Sequence, residues 1–123
     1  MTGVQSCALP ISRLLRRLFR NLLENAARYG GAEPAAVTMR VHRSEAEISV
    51  CDSGPGVPEG EREKIFEPFY RLKSASERAG GAGLGLSLVR QIAERHDGHV
   101  RCLANPGGGA CFEVCLPLAA TAK

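Results

Sequence analysis

An α+β sandwich of two layers, a mixed but mostly antiparallel sheet with helices on one face, is the fold that this sequence predicts. Three observations carry the prediction. Two segments, one early and one late, place apolar residues at helical spacing. Four shorter segments read as strands, grouped in two pairs with a short turn inside each pair. Strands joined by so short a turn pair antiparallel, and amphipathic helices bury their apolar stripe against a sheet.

Residues 1–11 (MTGVQSCALPI) show neither helical nor alternating periodicity and are interrupted by Pro10. They are read as a non-matching leader of foreign or gene-fragment origin, with the domain at 12–119 and a tail at 120–123. Ser12 is a fitting helix N-cap. After it Leu14, Leu15, Leu18, Phe19, Leu22, Leu23 and Ala26 form one apolar face, and Gly30-Gly31 ends the helix as a left-handed cap would. Strands are expected at 36–43 and 46–52 around a turn at Ser44-Glu45. Val37, Met39 and Val41 lie on one side of the first, with Thr38, Arg40 and His42 on the other. The turn-rich DSGPGVP (52–58) leads into a short acidic-led helix ending near Phe66, and the polar, glycine-rich 71–83 reads as a mobile loop. A second helix from near Gly83 carries Leu86, Val89, Ile92 and Ala93 and stops before Asp97-Gly98. Strands at 99–105 and 110–118 close the chain around Asn105-Pro106-Gly107-Gly108-Gly109.

Composition excludes several classes. With 44% hydrophobic and 24% charged residues the chain is not disordered, and 123 residues suffice for one core but not two. The net charge of +3 is small and the basic residues are dispersed, so no nucleic-acid partner is expected. No apolar stretch approaches the about 20 residues that span a bilayer. No secretory signal is visible, direct membrane contact is not expected, and the chain is read as cytoplasmic. Cys7, Cys51, Cys102, Cys111 and Cys115 are odd in number and form no CxxC pair. They are expected to be reduced, small buried hydrophobes rather than zinc ligands or a disulfide framework.

Chemistry concentrates in four places. Asn21, Asn25 and Arg28 are spaced four and three apart, so they share a stripe beside the apolar face of the first helix. A carboxamide oxygen suits magnesium, which keeps waters and shares phosphate oxygens; the plainer alternative is that the asparagines cap nearby backbone. Glycines follow a strand in DSGPG (52–56) and open a helix in GGAGLGL (80–86), where amides can approach an anion. The second run follows a polar loop rather than a strand and has no GK[ST], which argues against dinucleotide and P-loop sites. Asp52, at a strand end, can accept from an exocyclic amine such as that of adenine, or can form an Asx-turn. Phe66, Phe69 and Tyr70 make an aromatic knot whose leading role is to anchor a loop to the core.

These segments occur in a familiar order. NLLENAARYG (21–30) resembles the N box of bacterial sensor histidine kinases, DSGPGV (52–57) their first glycine box, IFEPFYR (65–71) their F box and GGAGLGLSLVRQI (80–92) their second glycine box. The resemblance runs from about Ser12 to Leu118. It implies the Bergerat-type ATP-binding sandwich shared with gyrase, chaperone and mismatch-repair ATPases. By position it implies that Asn25 coordinates Mg2+, that Asn21 supports it, and that Arg28, where lysine is frequent, contacts phosphate of ATP. Tyr29 would pack near adenine, Asp52 would bind its amino group, and Gly54 and Gly56 would shape that pocket. Phe66 and Phe69 would hold the base of a lid whose Arg71 and Arg78 reach toward phosphate. Gly81, Gly83 and Gly85 would hinge the lid and bring amides to the phosphates, and Leu84 and Leu86 would belong to the same ATP-binding set. Ala82 stands where serine or threonine is frequent, so a hydroxyl contact is lost.

The hydrolysing relatives carry a glutamate four residues before the magnesium asparagine. Asn21 stands there and cannot act as a base, and Glu24 lies one step round the helix, so transfer to a protein acceptor is favoured. The resemblance implies as partners a dimerising helical domain presenting the acceptor histidine and, indirectly, a response regulator, the isolated domain being a monomer. His42, His96 and His99 lie in no acceptor-like helix and are expected to be structural or solvated. A serine kinase like the anti-sigma factors, or a truncated nucleotide-binding module without activity, is the alternative. The family's strand before the first helix has no counterpart in MTGVQSCALPI, which predicts an unpaired sheet edge. The domain would belong to a cytoplasmic protein or to the cytoplasmic part of a membrane-anchored sensor.

Overall fold

The computed structural model describes residues 2–31, 33–70 and 85–118. Helix α1 spans Thr2–Tyr29, strands β1 and β2 span Ala36–His42 and Glu45–Cys51, helix α2 spans Gly85–Arg95, and strands β3 and β4 span His99–Ala104 and Ala110–Pro117. The sheet has the order β1-β2-β4-β3, and every pairing among the described residues is antiparallel. The two hairpins therefore meet along β2 and β4, which form the centre.

Alternation decides which face is covered. Val50, Phe112, Val114, Val100 and Cys102 turn toward the helices and are buried against Leu18, Leu22 and Ala26 of α1 and Val89, Ile92 and Ala93 of α2. The other face carries the residues between them. There Arg40 pairs with Glu47 at 3.0 Å and Arg101 with Glu113 at 2.6 Å. Such surface pairs are worth about 1 kcal/mol or less each, so the covered face holds the fold together. Strand β1 is a sheet edge and all seven of its residues are exposed, including Val37, Met39 and Val41 on the helix side.

Helix ends follow their local chemistry. In α1, Gly30 donates its amide to the Ala26 carbonyl at 2.7 Å and Gly31 takes the left-handed conformation at φ 83°. In α2 the left-handed residue is Asp97, φ 63°, and the amides of Asp97 and Gly98 return to the carbonyls of Glu94 and Ala93. Gly98 is needed for room instead: a Cβ there would lie 2.1 Å from the Cys115 carbonyl oxygen.

Four expectations are corrected. The first helix does not start at the Ser12 cap but runs from Thr2 through Pro10. A proline in a helix interior removes one amide donor and costs about 3 kcal/mol, which is why the sequence by itself points to a start after Pro10. The first hairpin turns at Arg43-Ser44, one residue early, with Arg43 at φ 59°. The acidic-led helix is two short 3-10 turns, Glu59–Glu61 and Lys64–Phe66, because only Ile65 and Phe66 supply apolar anchors. Finally, Cys51 and Cys111 face each other across β2 and β4 with Cα atoms 4.0 Å apart and form a disulfide. Separation of 60 residues concealed a pairing that the register makes direct. Cys102 and Cys115 are buried free thiols, as expected.

Leu22 is fully buried whereas Leu23 is 45% exposed. Urea unfolding should show Leu22→Ala losing about 2–5 kcal/mol, and Leu23→Ala about 1 kcal/mol or less. Equal losses would mean that α1 docks on a different face.

Candidate functional site

Three chain segments far apart in sequence close on one carboxylate. Asp52 follows the last residue of β2 and is 7% exposed. Its Oδ1 accepts from the Gly54 amide at 3.0 Å and from the Ala110 amide at 3.1 Å. Its own amide donates to the Ala110 carbonyl at 2.9 Å, and its carbonyl accepts from Asn105 Nδ2 at 2.7 Å. The Gly54 contact is the Asx-turn that the plainer reading anticipates. Ala110 and Asn105 go beyond it, because they tie the residue to the β3–β4 hairpin. Both donors use Oδ1; Oδ2 takes neither, so among the described residues an acceptor site remains on it.

Glycines make this approach possible. A Cβ at Gly30 would lie 2.7 Å from the Asp52 Cβ, one at Gly54 would lie 2.3 Å from the Tyr29 carbonyl oxygen, and one at Gly109 would lie 2.0 Å from the Asp52 carbonyl oxygen. The end of α1, the loop after β2 and the turn before β4 thus touch backbone to backbone. The Ser53 amide closes the seam by donating to the Gly30 carbonyl at 3.2 Å. Gly56 adds a positive φ of 82° beside Gly109.

The C-terminal turns of α1 bring the N-box residues to this seam. Tyr29, half-buried, abuts Gly54 through its carbonyl, and Asn25 lies one turn before it on the same stripe. Asn21 lies a further turn back, and Arg28 is exposed. Asn21 and Asn25 are half-buried, and neither carboxamide is hydrogen-bonded to another described residue. Capping of backbone by these asparagines is therefore absent among the described residues.

The aromatic knot divides. Phe66 is core, 3% exposed, edge-on to Phe112 with ring centroids 6.2 Å apart and Arg90 above its ring at 5.5 Å. Tyr70 donates its hydroxyl to Glu61 at 2.6 Å, an acceptor that holds the phenol protonated and raises its pKa. Phe69 is not an anchor: it is 68% exposed at φ 68°, a conformation that turns the side chain out of the layer holding Phe66. Gly85 is exposed at the start of α2, and Leu86 packs against the core. Arg71, Arg78, Gly81, Ala82, Gly83 and Leu84 lie outside the described residues.

Sequence reasoning missed four contributors. Gly30 was visible only as a helix terminator and Gly109 only as a hairpin glycine. Asn105 sits in a turn signal that gave no hint of its reach to Asp52. Arg62 donates Nε to the Val57 carbonyl at 3.0 Å, pinning the far end of the glycine loop; a lone arginine in a charged run carries no such signal. Among the histidines, His42 and His99 are exposed. His96 Nδ1 lies 2.8 Å from the Ile92 carbonyl, which only accepts, so Nδ1 carries the proton and the ring closes the end of α2.

Comparison with known proteins identifies the family. Residues 11–120 match the family model of the histidine kinase-, DNA gyrase B- and HSP90-like ATPases. The adaptive-response sensory kinase SasA of Parasynechococcus marenigrum (strain WH8102) is 43% identical over 108 residues, which cover 86% of this chain and 28% of that protein. The chain therefore spans under a third of that relative. The mycobacterial sensor histidine kinase MprB superposes with a TM-score of 0.77 at 34% identity, covering 86% of this chain and 73% of that one. The ATP-binding domain of PrrB from Mycobacterium tuberculosis gives 0.70 at 35%, covering 88% and 69%. No helix among the described residues is long and apolar enough to cross a membrane. With the fold and these likenesses in agreement, the chain belongs to the histidine kinase-, DNA gyrase B- and HSP90-like ATPase family, as an ATP-binding catalytic domain of the sensor histidine kinase type.

Proposed function

We propose that residues 12–119 bind Mg-ATP at the seam between α1 and the Asp52 loop and present its γ-phosphoryl to a histidine on a separate dimerising helical domain. Residues 1–11 and 120–123 stand outside that unit on this reading. The observation that carries it is the backbone contact of Tyr29, Gly30 and Gly54, which sets the N-box stripe beside a buried carboxylate with acceptor capacity left on Oδ2.

Each part has a physical task. Asp52 offers Oδ2 to the exocyclic amine of adenine, while Gly54 and Gly56 keep side chains out of the base's path. Tyr29 packs beside the base. Asn25, whose carboxamide is hydrogen-bonded to no other described residue, would hold Mg2+ through oxygen, with Asn21 behind it and Arg28 toward phosphate. The donor chemistry suits that metal: a carboxamide oxygen is a hard ligand, and magnesium takes most of its remaining ligands from water and phosphate oxygens. The metal supplies charge neutralisation on the phosphates. On this reading Arg71 and Arg78 would reach the phosphates from a lid hinged at Gly81, Gly83 and Gly85, with Leu84 and Leu86 beside the hinge and the buried Phe66 at its base.

Asn21, in the position of the hydrolytic base, cannot activate water, which favours keeping the bound nucleotide for an acceptor. The acceptor domain belongs to the same kinase, a response regulator receives the phosphoryl from it, and the site works in the cytoplasm. Two predictions follow the residues. A fluorescent ATP analogue should bind in a magnesium-dependent way, and Asn25→Ala should weaken binding about tenfold or more while leaving the unfolding midpoint in place; magnesium-independent binding in both chains would remove Asn25 from the metal. Gly109→Ala, whose Cβ collides with Asp52, should lose analogue binding, whereas Gly107→Ala, also at positive φ but in open space, should lose only about 1 kcal/mol of stability. Equal binding by the two variants would dissociate the hairpin from the adenine site.

A further inference from the structure

The cross-strand disulfide sits one residue from the carboxylate on which the site depends. Cys51 precedes Asp52, and Cys111 follows Ala110. Asp52 and Ala110 exchange two hydrogen bonds, amide to carbonyl at 2.9 Å and amide to Oδ1 at 3.1 Å. These residues are also where the β2–β4 ladder ends: Cys51 is the last residue of β2 and Ala110 the first of β4. Ladder ends open at little free-energy cost unless something ties them. Here the tie is covalent. The loop it closes, with a sequence separation of 60, contains Gly54, Gly56, Phe66 and all of α2.

Access and selectivity favour this pair. By alternation Cys51 and Cys111 face away from the helices, between Ala36 of β1 and Leu103 of β3 in the same cross-strand row. Both are half-buried on the uncovered side of the sheet, so a small thiol reaches them without entering the core. The free thiols at Cys102 and Cys115 are buried, and burial pushes Cys102 up to about 11 and Cys115 upward as well. Held protonated, they are poor nucleophiles and stand aside.

We propose that Cys51 and Cys111 form a thiol–disulfide modification site, exchanging with low-molecular-weight thiols and disulfides, whose oxidation stiffens the Asp52 seat and whose reduction loosens it. The effect on nucleotide rests on the reading of Asp52 as the adenine contact; the effect on the seat does not. Oxidation runs in two exchanges. One cysteine thiolate attacks a sulfur of a small disulfide RSSR and expels RS−, giving a mixed disulfide. The second thiolate attacks the protein sulfur of that mixed disulfide and expels the second RS−. Two electrons pass to the small disulfide, and the two protons lost by the cysteines end on the released thiols. Reduction is the reverse, with two RSH as reductant.

The test compares one chain, carrying Cys7→Ser so that Cys7 takes no part in the exchange, in oxidised and in reduced glutathione. Thiol titration should show two thiols that appear only on reduction. Amide hydrogen exchange at Gly54 and Ala110 should be about tenfold slower in the oxidised chain, and the ATP analogue should bind about threefold tighter or more. A Cys51→Ser/Cys111→Ser chain should exchange and bind like the reduced form in both buffers. Equal exchange in the two states, no disulfide under excess oxidised glutathione, or equal affinity despite different exchange would overturn the proposal. If the analogue binds in neither state while exchange still follows redox state, the modification site stands and the Mg-ATP reading falls.

Discussion

One carboxylate oxygen organises the functional half of this molecule. Asp52 Oδ1 receives amides from its own loop and from the opening of β4, while the Asp52 carbonyl receives the Asn105 side chain. A buried anion is tolerated only when hydrogen bonds replace lost water, and here backbone donors do so. The requirement propagates outward. To bring Gly54 and Ala110 within 3.1 Å, three backbones must approach closer than side chains permit, and Gly30, Gly54 and Gly109 meet that condition. The glycine content of the boxes is thus a packing requirement around Asp52 before it is a ligand-binding one.

The central strand pair makes that arrangement rigid. β2 delivers Asp52 and β4 delivers Ala110, and the same two strands bury Val50, Phe112 and Val114 under α1 and α2. Because side chains alternate, the residues next to Asp52 and Ala110 in sequence, Cys51 and Cys111, necessarily fall on the opposite face. One register therefore fixes both the core and the sulfur pair. A slip by one residue would exchange Val50 and Cys51 and dismantle the site together with the hydrophobic layer.

Much of this was legible from the amino acids. Both helices, both hairpins and the Val37, Met39, Val41 alternation follow from periodicity, and Asp52 was singled out by its place at a strand end. What escaped depends on distances that a linear reading cannot supply. The Cys51–Cys111 bond needs the pairing of β2 with β4, which two local hairpins leave open. Phe69 carries the same apolar signal as Phe66, yet a positive φ sends it outward. Asn105 looks like ordinary turn chemistry until the hairpin is folded over Asp52. The extension of α1 through Pro10 ran against local propensity.

On the proposed reading, what the domain does with a bound nucleotide depends less on this seam than on the stripe beside it. An adenine seat would be equally useful to a hydrolase and to a kinase. The separation lies one helical turn before Asn25. A carboxylate there could take a proton from water; the Asn21 carboxamide has no proton-accepting role at neutral pH, and Glu24, exposed on an adjacent face of α1, does not share the stripe. On the proposed reading, a site that positions a triphosphate without activating water preserves it until an acceptor arrives, and that is the division of labour a kinase domain separate from its acceptor requires.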